Sequence, residues 1–481
     1  MLTGPDEQKG AQAADPVVEI SESLGPESPR EAILAPEETA PRRPRKAIHS
    51  YLKVVGLCFV YLVTFGQLSA FSTYQDYYEE KMLASYSSST ISWIGTIQVF
   101  LLGVVGLLSG ALYDRGYARE ALIPGFGLVV LGLVLLSFSY QLWHVILSQG
   151  FLIGIGGGLA TVPAISIVSH GFPQPTLALG VGAAGSAIGG IIWPIVFQRL
   201  LPSIGFAWTS RVFALLVLVL SVLSYVMLIA GGGRWAQHGW QRWKHPGFLR
   251  VFFRRTKEEN GSESDTSAAP TRKHHATWRD AFDGRAYQFL CVGVFFALLG
   301  YWVPLFYLVP YASRSLGTSS SSASDLLAIL NAASLFGRIL PAAVGHKVGP
   351  ANILLAGATA LGALILAWIA VGSIAGLTVW SIFLGFVAGS VITIPNAVAS
   401  RLSQTSNTGL RIGLMWGVGA IAELVGPPIA GALLTYHNSK VNYLGCQLFG
   451  GVSVLVGAGF LVVPAWSIIR EDKTKRETVA G

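Results

Sequence analysis

The sequence has few charged residues and none of the motifs that mark common soluble enzymes. Asp, Glu, Lys and Arg make up 12% of the 481 residues, about half their share in a soluble globular domain. No Gly-Lys dipeptide is present to build a P-loop, and neither an HExxH nor a Cys-x-x-Cys motif occurs. The three cysteines, Cys58, Cys291 and Cys446, lie in apolar runs without metal-ligand spacing. These absences argue against an enzyme, a metal or cofactor site, and nucleotide-driven pumping.

Apolar residues dominate instead, because 52% of the chain is hydrophobic and 56 residues are glycine. A helix needs about 20 apolar residues to cross the hydrocarbon layer. Twelve segments meet this requirement and are called spans 1 to 12 in chain order: 52–72, 91–113, 121–141, 145–168, 177–198, 209–230, 287–309, 324–345, 351–371, 376–399, 411–434 and 443–467. The sequence therefore predicts an all-α integral membrane protein.

The two halves of the chain resemble each other at an offset of 232 residues. This shift carries Asp114-Arg115 onto His346-Lys347, and it carries Gly157, Thr161 and Pro163 onto Gly389, Thr393 and Pro395. Two similar membrane halves are typical of secondary transporters in which two bundles rock about a site between them. We expect two pseudo-symmetric six-helix bundles, at 50–230 and 287–468.

The basic residues predict the orientation in the membrane. Most of the 33 Lys and Arg residues fall in the termini, the central loop and the short loops on the same side, and this side is cytosolic by the positive-inside rule. Segments 1–49 and 469–481 are therefore expected as cytosolic tails, the first of them disordered because of its polar composition. Segment 231–286 is expected as a cytosolic central loop, and the plasma membrane as the location.

Two ionisable side chains, Arg338 and Glu423, fall near the middle of predicted spans. A charge at that depth costs about 2.5–3.5 kcal/mol unless it faces a cavity or a partner. A guanidinium stays protonated and suits bidentate binding of a carboxylate, so Arg338 is the candidate anion anchor. Glu423 can load and release a proton and is the candidate proton-coupling residue. For both residues a purely structural role is the alternative.

Other polar and aromatic side chains at mid-span depth complete the candidate substrate site. The polar contacts, selected by depth alone, are Asn331, Gln67, Gln149 and Asn396. Trp302 and Tyr307 are the candidate aromatic walls.

Segment 110–120, GALYDRGYARE, follows span 2 and resembles a loop signature of the major facilitator superfamily, G-x-L-x-D-[RK]-x-G. Its repeat copy, AVGHKVG, keeps the lysine and the last glycine but has histidine in place of the acid. In that family these residues govern gating between the halves. The resemblance therefore implies gating roles for Asp114, Arg115 and Lys347.

Longer stretches resemble the fungal branch of the monocarboxylate transporter family, among them QGFLIGIGGGL (149–159), GSAIGGIIWP (185–194), ILNAASLFGRILP (329–341) and GLMWGVGAIAELVGPPIAG (413–431). The resemblance implies the twelve-span, two-bundle fold and an arginine in span 8, which Arg338 matches. Three features of that family are missing. Ser334 replaces an aspartate one turn before the arginine, KAIHSYLKVV replaces an Asp-Gly signature before span 1, and the span 1 lysine of animal members has no counterpart.

These observations predict a secondary active transporter of a small organic anion or amphipathic metabolite, working by alternating access. The missing residues belong to proton–monocarboxylate symport, and their loss favours efflux of a fungal secondary metabolite. Proton-coupled uptake of a monocarboxylate, or of a vitamin such as riboflavin, is the alternative. A non-transporting nutrient sensor is the alternative of another class, but the tails show no patterned output module. The expected partners are the substrate, protons if transport is coupled to them, and the lipid bilayer, with no nucleic acid.

Overall fold

The computed structural model describes residues 44–86, 88–172, 175–230, 281–318, 320–404, 407–437 and 440–480. The N-terminal segment before residue 44 and residues 231–280 of the predicted central loop lie outside this range. The spanning helices are numbered in chain order: α1 Pro44–Val63, α2 Ser88–Asp114, α3 Ala118–Leu136, α4 Gly154–Ser169, α5 and α6 as the two parts of Thr176–Ala230, α7 Arg285–Leu316, α8 Ser320–Val348, α9 Pro350–Ala367, α10 Ile374–Arg401, α11 Thr408–Ala432 and α12 Leu444–Ala480.

Short elements extend or connect these helices. Two short helices and a π-helix continue α1: Phe65–Ser69, Phe71–Tyr77 and Tyr78–Met82. A helical turn and a second π-helix lead into α4, Leu142–Val145 and Ile146–Ile153, and a 3-10 turn, Trp368–Ala370, follows α9. Strands β1 (Thr435–His437) and β2 (Lys440–Asn442) pair in antiparallel fashion between α11 and α12.

Eleven helices in the described part of the chain are long and apolar enough to cross a membrane, and one of them, Thr176–Ile229, has 54 residues. A straight helix of that length would measure about 80 Å, whereas the hydrocarbon layer is about 30 Å thick. Gly205 interrupts it with φ 74° and ψ 170°, a conformation that glycine adopts at little cost. The helix therefore supplies two spans, α5 and α6, and the predicted all-helical, twelve-span fold is confirmed.

Two helices extend further than their apolar segments. Helix α1 begins at Pro44, inside the predicted tail 1–49, and proline is favoured at the first position of a helix. Helix α12 continues to Ala480, through the predicted tail 469–481. Hydropathy detects the part of a helix that contacts lipid, but it does not detect polar turns that extend beyond the membrane.

The sequence repeat is also a repeat in packing. A Cβ atom added to Gly413 would lie 2.7 Å from the carbonyl oxygen of Gly106, and one added to Gly180 would lie 2.5 Å from that of Arg338. Gly106 and Arg338 are 232 residues apart, and Gly180 and Gly413 are 233 apart. The same glycine-to-backbone contact therefore occurs twice, once between α2 and α11 and once between α5 and α8. Such close approach is possible because glycine has no side chain.

These two helix pairs join the first six spans (the N-half) to the last six (the C-half). Between α2 and α11 the close contacts run from Gly110 against Gly409 to Gly103 against Ala420. Between α5 and α8 they include Gly180 against Ala342. Both groups of contacts, α2–α11 and α5–α8, include residues at the face of the molecule where α2 ends and α11 begins. We call this the Asp114 face, and the halves are packed together there.

Candidate functional site

Arg338 lies on α8 where the two halves meet, and only 5% of it is exposed. Its Nε donates to Ser334 Oγ at 3.3 Å, and its Nη1 donates to the carbonyl oxygen of Ala183 on α5 at 3.2 Å. Among the described residues the one ion pair joins Arg401 to Asp472, both partly exposed. Arg338 is therefore a buried cation without a carboxylate partner in that part of the chain. A guanidinium has five N–H donors, and the contacts above use two.

Two buried tyrosines interact electrostatically with Arg338. They are Tyr61 on α1, in the N-half, and Tyr301 on α7, in the C-half. Tyr301 also interacts electrostatically with Glu423 on α11. A phenol group is thus within electrostatic reach of both the buried cation and the buried acid.

Glu423 lies at the contact between α11 and α7, and 3% of it is exposed. Gly419 and Gly426, four residues before it and three after it, both pack against α7, which places Glu423 on the same helix face. The Trp302 indole lies near its carboxyl group. Within the described residues, however, neither Glu423 Oε1 nor Trp302 Nε1 has a hydrogen-bond partner. The structure therefore brings these two predicted site residues together, with the indole N–H donor beside the buried acid.

A second group of buried side chains joins the halves beside Arg338. The Tyr61 ring on α1 and the Phe65 ring in the short helix that follows it are stacked with centroids 5.4 Å apart. Phe65 lies 5.8 Å from the Trp416 ring on α11. Trp416 Nε1 donates to Asn396 Oδ1 at 2.8 Å, and Asn396 Nδ2 donates to the Tyr61 hydroxyl oxygen at 3.4 Å. We call Tyr61, Phe65, Asn396 and Trp416 the central cluster.

Two more of the predicted polar contacts are buried. Asn331 lies two turns before Arg338 on α8 and packs against Gly190 of α5, while its Nδ2 donates to the carbonyl oxygen of Leu327 at 3.0 Å. Gln67 lies in the extension of α1, and its Nε2 has no hydrogen-bond partner among the described residues. Asn331 is therefore on the half–half boundary with Arg338.

Gln149 and Tyr307 have partners within their own halves. Gln149 Oε1 accepts a hydrogen bond from the Tyr78 hydroxyl at 2.6 Å in the N-half. The Tyr307 hydroxyl donates to the carbonyl oxygen of Pro427 at 2.8 Å in the C-half. These contacts join helices of one half, and they connect neither residue to Arg338.

The predicted gating residues lie at the Asp114 face. Asp114 Oδ1 and Oδ2 accept hydrogen bonds from the backbone N–H groups of Gly409 and Leu410, at 2.8 and 2.6 Å. Helix α11 begins at Thr408, so a carboxylate from the N-half occupies the positive N-terminus of a C-half helix and satisfies two of its free donors. Arg115 interacts electrostatically with Asp114, and Lys347 is exposed.

A further contact between the halves lies at the ends of α4 and α10. Ser169 Oγ donates to Ser400 Oγ at 2.7 Å. The two serines are 231 residues apart, so they occupy nearly equivalent positions of the two repeats.

Sequence reasoning missed Tyr61, Tyr301 and Trp416, because neutral aromatic residues are not unusual in apolar spans. Trp416 gives the one usable signal, since this large ring stands in a glycine-rich stretch, GLMWGVG. Among the described residues, no group of three or more His, Cys, Asp and Glu side chains is arranged to hold a metal ion.

Comparison with known proteins gives consistent matches along the chain. The family model of the Major Facilitator Superfamily matches residues 54–308 and 290–480. The agnestins efflux protein AgnL12 of Paecilomyces divaricatus is 32% identical over 86% of this chain and 86% of its own length. The aspyridones efflux protein apdF of Emericella nidulans is 32% identical over 86% of this chain and 77% of its own. Among solved structures, the human organic anion transporter MFSD10 (TETRAN) has a similar fold, with a TM-score of 0.61 and 15% identity over 88% of this chain and 100% of that one.

Proposed function

The chain belongs to the Major Facilitator Superfamily, and we propose that this transporter exports a small organic anion, a fungal secondary metabolite, by alternating access. Arg338 is the observation that carries the proposal. Burying a charge without a partner costs several kcal/mol, and a membrane protein retains such a residue where it has a function. At the boundary between the halves, a cation with unused donors is suited to a substrate that brings its own negative charge.

The direction of transport rests on the relatives. Both fungal proteins described above are named as efflux proteins, and both align with most of this chain. The sequence also lacks residues of the symport pattern of the monocarboxylate family, which likewise favours efflux. Within the superfamily we assign the chain to a monocarboxylate-porter-like branch, on the motifs of spans 4, 5, 8 and 11.

We assign the Asp114 face to the cytosol and the protein to the plasma membrane, because basic residues concentrate on that side of the chain. The halves are packed together at this face, so the conformation described is closed toward the cytosol. Protons are the proposed coupling ion, and Glu423 is the proposed carrier, because it is a buried acid without a basic partner among the described residues. Asn331 and the central cluster, which includes Asn396, complete the proposed substrate site.

The proposal is tested by profiling metabolites in a strain that lacks the protein. We expect an organic acid to accumulate in the cells and to disappear from the medium. Wild-type protein should restore export, whereas Arg338→Ala should not, although it reaches the cell surface in equal amount. Arg314→Ala, which removes an exposed arginine near the end of α7, is the matched control and should restore export fully.

Two outcomes would overturn parts of this proposal. Full export by Arg338→Ala would remove Arg338 from the site. Loss of an acid from the cells of the deletion strain, rather than from the medium, would show uptake in place of efflux.

A further inference from the structure

The central cluster is a contact that must change when the transporter works. Tyr61 and Phe65 belong to the N-half, whereas Asn396 and Trp416 belong to the C-half. Alternating access moves the halves relative to each other about a site between them, so these rings cannot remain packed together throughout the cycle. Their faces therefore become available near Arg338, which interacts electrostatically with Tyr61.

Two polar groups near the cluster, the Asn396 Nδ2 amide group and the Thr393 hydroxyl, are weakly engaged. The hydrogen bond from Asn396 to Tyr61 is 3.4 Å long, beyond the 2.7–3.2 Å range of ordinary N–H···O bonds. Thr393 lies one turn before Asn396 on the same face of α10, is 1% exposed, and its Oγ1 has no hydrogen-bond partner among the described residues. Buried polar groups without partners are costly. Asn396 Nδ2 and Thr393 Oγ1 are therefore able to bind a polar substituent of a ligand without losing a strong bond, while Asn396 Oδ1 keeps its bond from Trp416.

The rings determine what kind of ligand body fits beside these groups. Three aromatic rings lie in a row, because Phe65 contacts both Tyr61 and Trp416. Aromatic rings prefer other rings in offset or edge-to-face geometry and gain energy beyond the apolar area that they bury. A flat ring of the ligand can replace the Phe65–Trp416 contact when the halves separate. A flexible alkyl chain would gain only the free energy of burying its apolar surface.

We propose that the exported anion is an aromatic acid, with a carboxylate or an enolate attached to a flat ring system. In this arrangement, which rests on the proposed function, Arg338 holds the anionic group. Phe65 and Trp416 stack on the ring from opposite halves. Asn396 and Thr393 bind a hydroxyl or carbonyl substituent. The central cluster thereby selects aromatic over aliphatic acids.

The test compares two acids of the same outline on the full-length protein in lipid nanodiscs, by titration calorimetry. The probes are 2-naphthoate and its saturated counterpart, decahydro-2-naphthoate. One aromatic pair is worth about a two- to tenfold change in affinity, so we expect wild-type protein to prefer naphthoate by at least that factor. Phe65→Leu and Trp416→Leu should each lower the ratio toward one.

The ratio of the two affinities is measured on one protein sample, so a partly folded variant does not change it. Phe336→Leu and Trp466→Leu remove exposed rings on α8 and α12 and should leave the ratio unchanged. Trp416→Phe keeps a ring and should retain most of the preference.

The outcomes separate this inference from the proposed function. Arg338→Gln should weaken binding of both acids equally, because it removes the anion anchor and leaves the rings. The aromatic assignment would be overturned if wild-type protein bound the two acids equally well. It would also be overturned if the preference survived both leucine substitutions. Neither result would contradict the export of an anion. Failure of wild-type protein to bind either acid would also overturn the aromatic assignment, whereas the proposed export is tested separately in the deletion strain.

Discussion

Two buried side chains of opposite charge, Arg338 and Glu423, lie in the C-half without pairing with each other. Both interact with Tyr301, yet no ion pair between them is present. A buried charge is normally retained with a partner, because each unpaired ion costs several kcal/mol. The arginine cannot lose its charge and therefore requires an anion. The glutamate can bind a proton and become neutral, so the two residues suit different ligands.

Substituting Glu423→Gln tests the role of this acid. Glutamine keeps the size and a hydrogen-bonding oxygen near Trp302, but it cannot exchange a proton. If one proton moves with each transport cycle, wild-type flux changes by up to about tenfold per pH unit around the titration of the carrier. We expect the variant to transport at a rate that does not depend on pH, in vesicles with a matched internal pH.

The matched control is Glu477→Gln, an exposed acid near the end of α12, which should keep the wild-type pH profile. A Glu423→Gln profile that follows that of the wild type would exclude Glu423 as the proton carrier.

Among single residues, the sequence supplied the ionisable side chains of the proposed site and missed most of its aromatic ones. Arg338 and Glu423 were detectable because charge is expensive in lipid and therefore rare at mid-span. Tyr61 and Trp416 were not, since an apolar span accepts a ring on any face, and 11% of the chain is aromatic. Only the three-dimensional packing, in which Phe65 contacts Trp416 of α11, shows which rings lie between the halves.

Among the secondary-structure elements, α11 is held at its N-terminus by a side chain from the other half. The Asp114 carboxylate accepts from two backbone N–H groups there. A capping side chain is worth about 0.5–2 kcal/mol, and a negative charge at a helix N-terminus adds to this. The contact therefore favours the state that is closed at the Asp114 face.

Asp114→Asn should weaken that closure, because an amide has one acceptor oxygen and no charge. A loss of 0.5–2 kcal/mol raises the open population about two- to thirtyfold. The measurement is the rate at which a thiol reagent labels Ser169→Cys, a position buried against α10, in the presence and absence of Asp114→Asn. We expect the second substitution to accelerate labelling.

Asp325→Asn, which alters an exposed acid of α8 away from the Asp114 face, should leave the labelling rate unchanged. An equal rate with and without Asp114→Asn would show that the carboxylate does not stabilise closure.

Hydropathy predicted every spanning helix, because lipid contact requires a continuous apolar segment. It did not predict how the backbone is built between them. The loop expected between spans 5 and 6 is helical on both sides of Gly205, and the segment before α4 is a π-helix, Ile146–Ile153. A π-helix and short strands such as β1 and β2 depend on local backbone geometry. The spacing of apolar residues carries no information about that geometry.

For the molecule as a whole, the repeat explains why one face closes as a unit. Helix pairs α2–α11 and α5–α8 make equivalent glycine contacts, so opening the Asp114 face must separate both pairs together. Among the described residues, the contacts that hold this face closed include the Asp114 cap, the glycine contacts and the hydrogen bond between Ser169 and Ser400. A covalent bond at any of them should therefore arrest the whole cycle.

The two serines offer the most direct place for that bond. Their hydroxyl oxygens are 2.7 Å apart, so the sulfur atoms of two cysteines at these positions would start close together. A disulfide forms where the Cβ atoms lie about 3.5–4.5 Å apart. Oxidising Ser169→Cys/Ser400→Cys should abolish transport, and a reductant should restore it. Each single variant, treated in the same way, should remain active. Undiminished flux through a fully cross-linked protein would mean that substrate does not pass through an opening at the Asp114 face, and alternating access between these two halves would have to be abandoned.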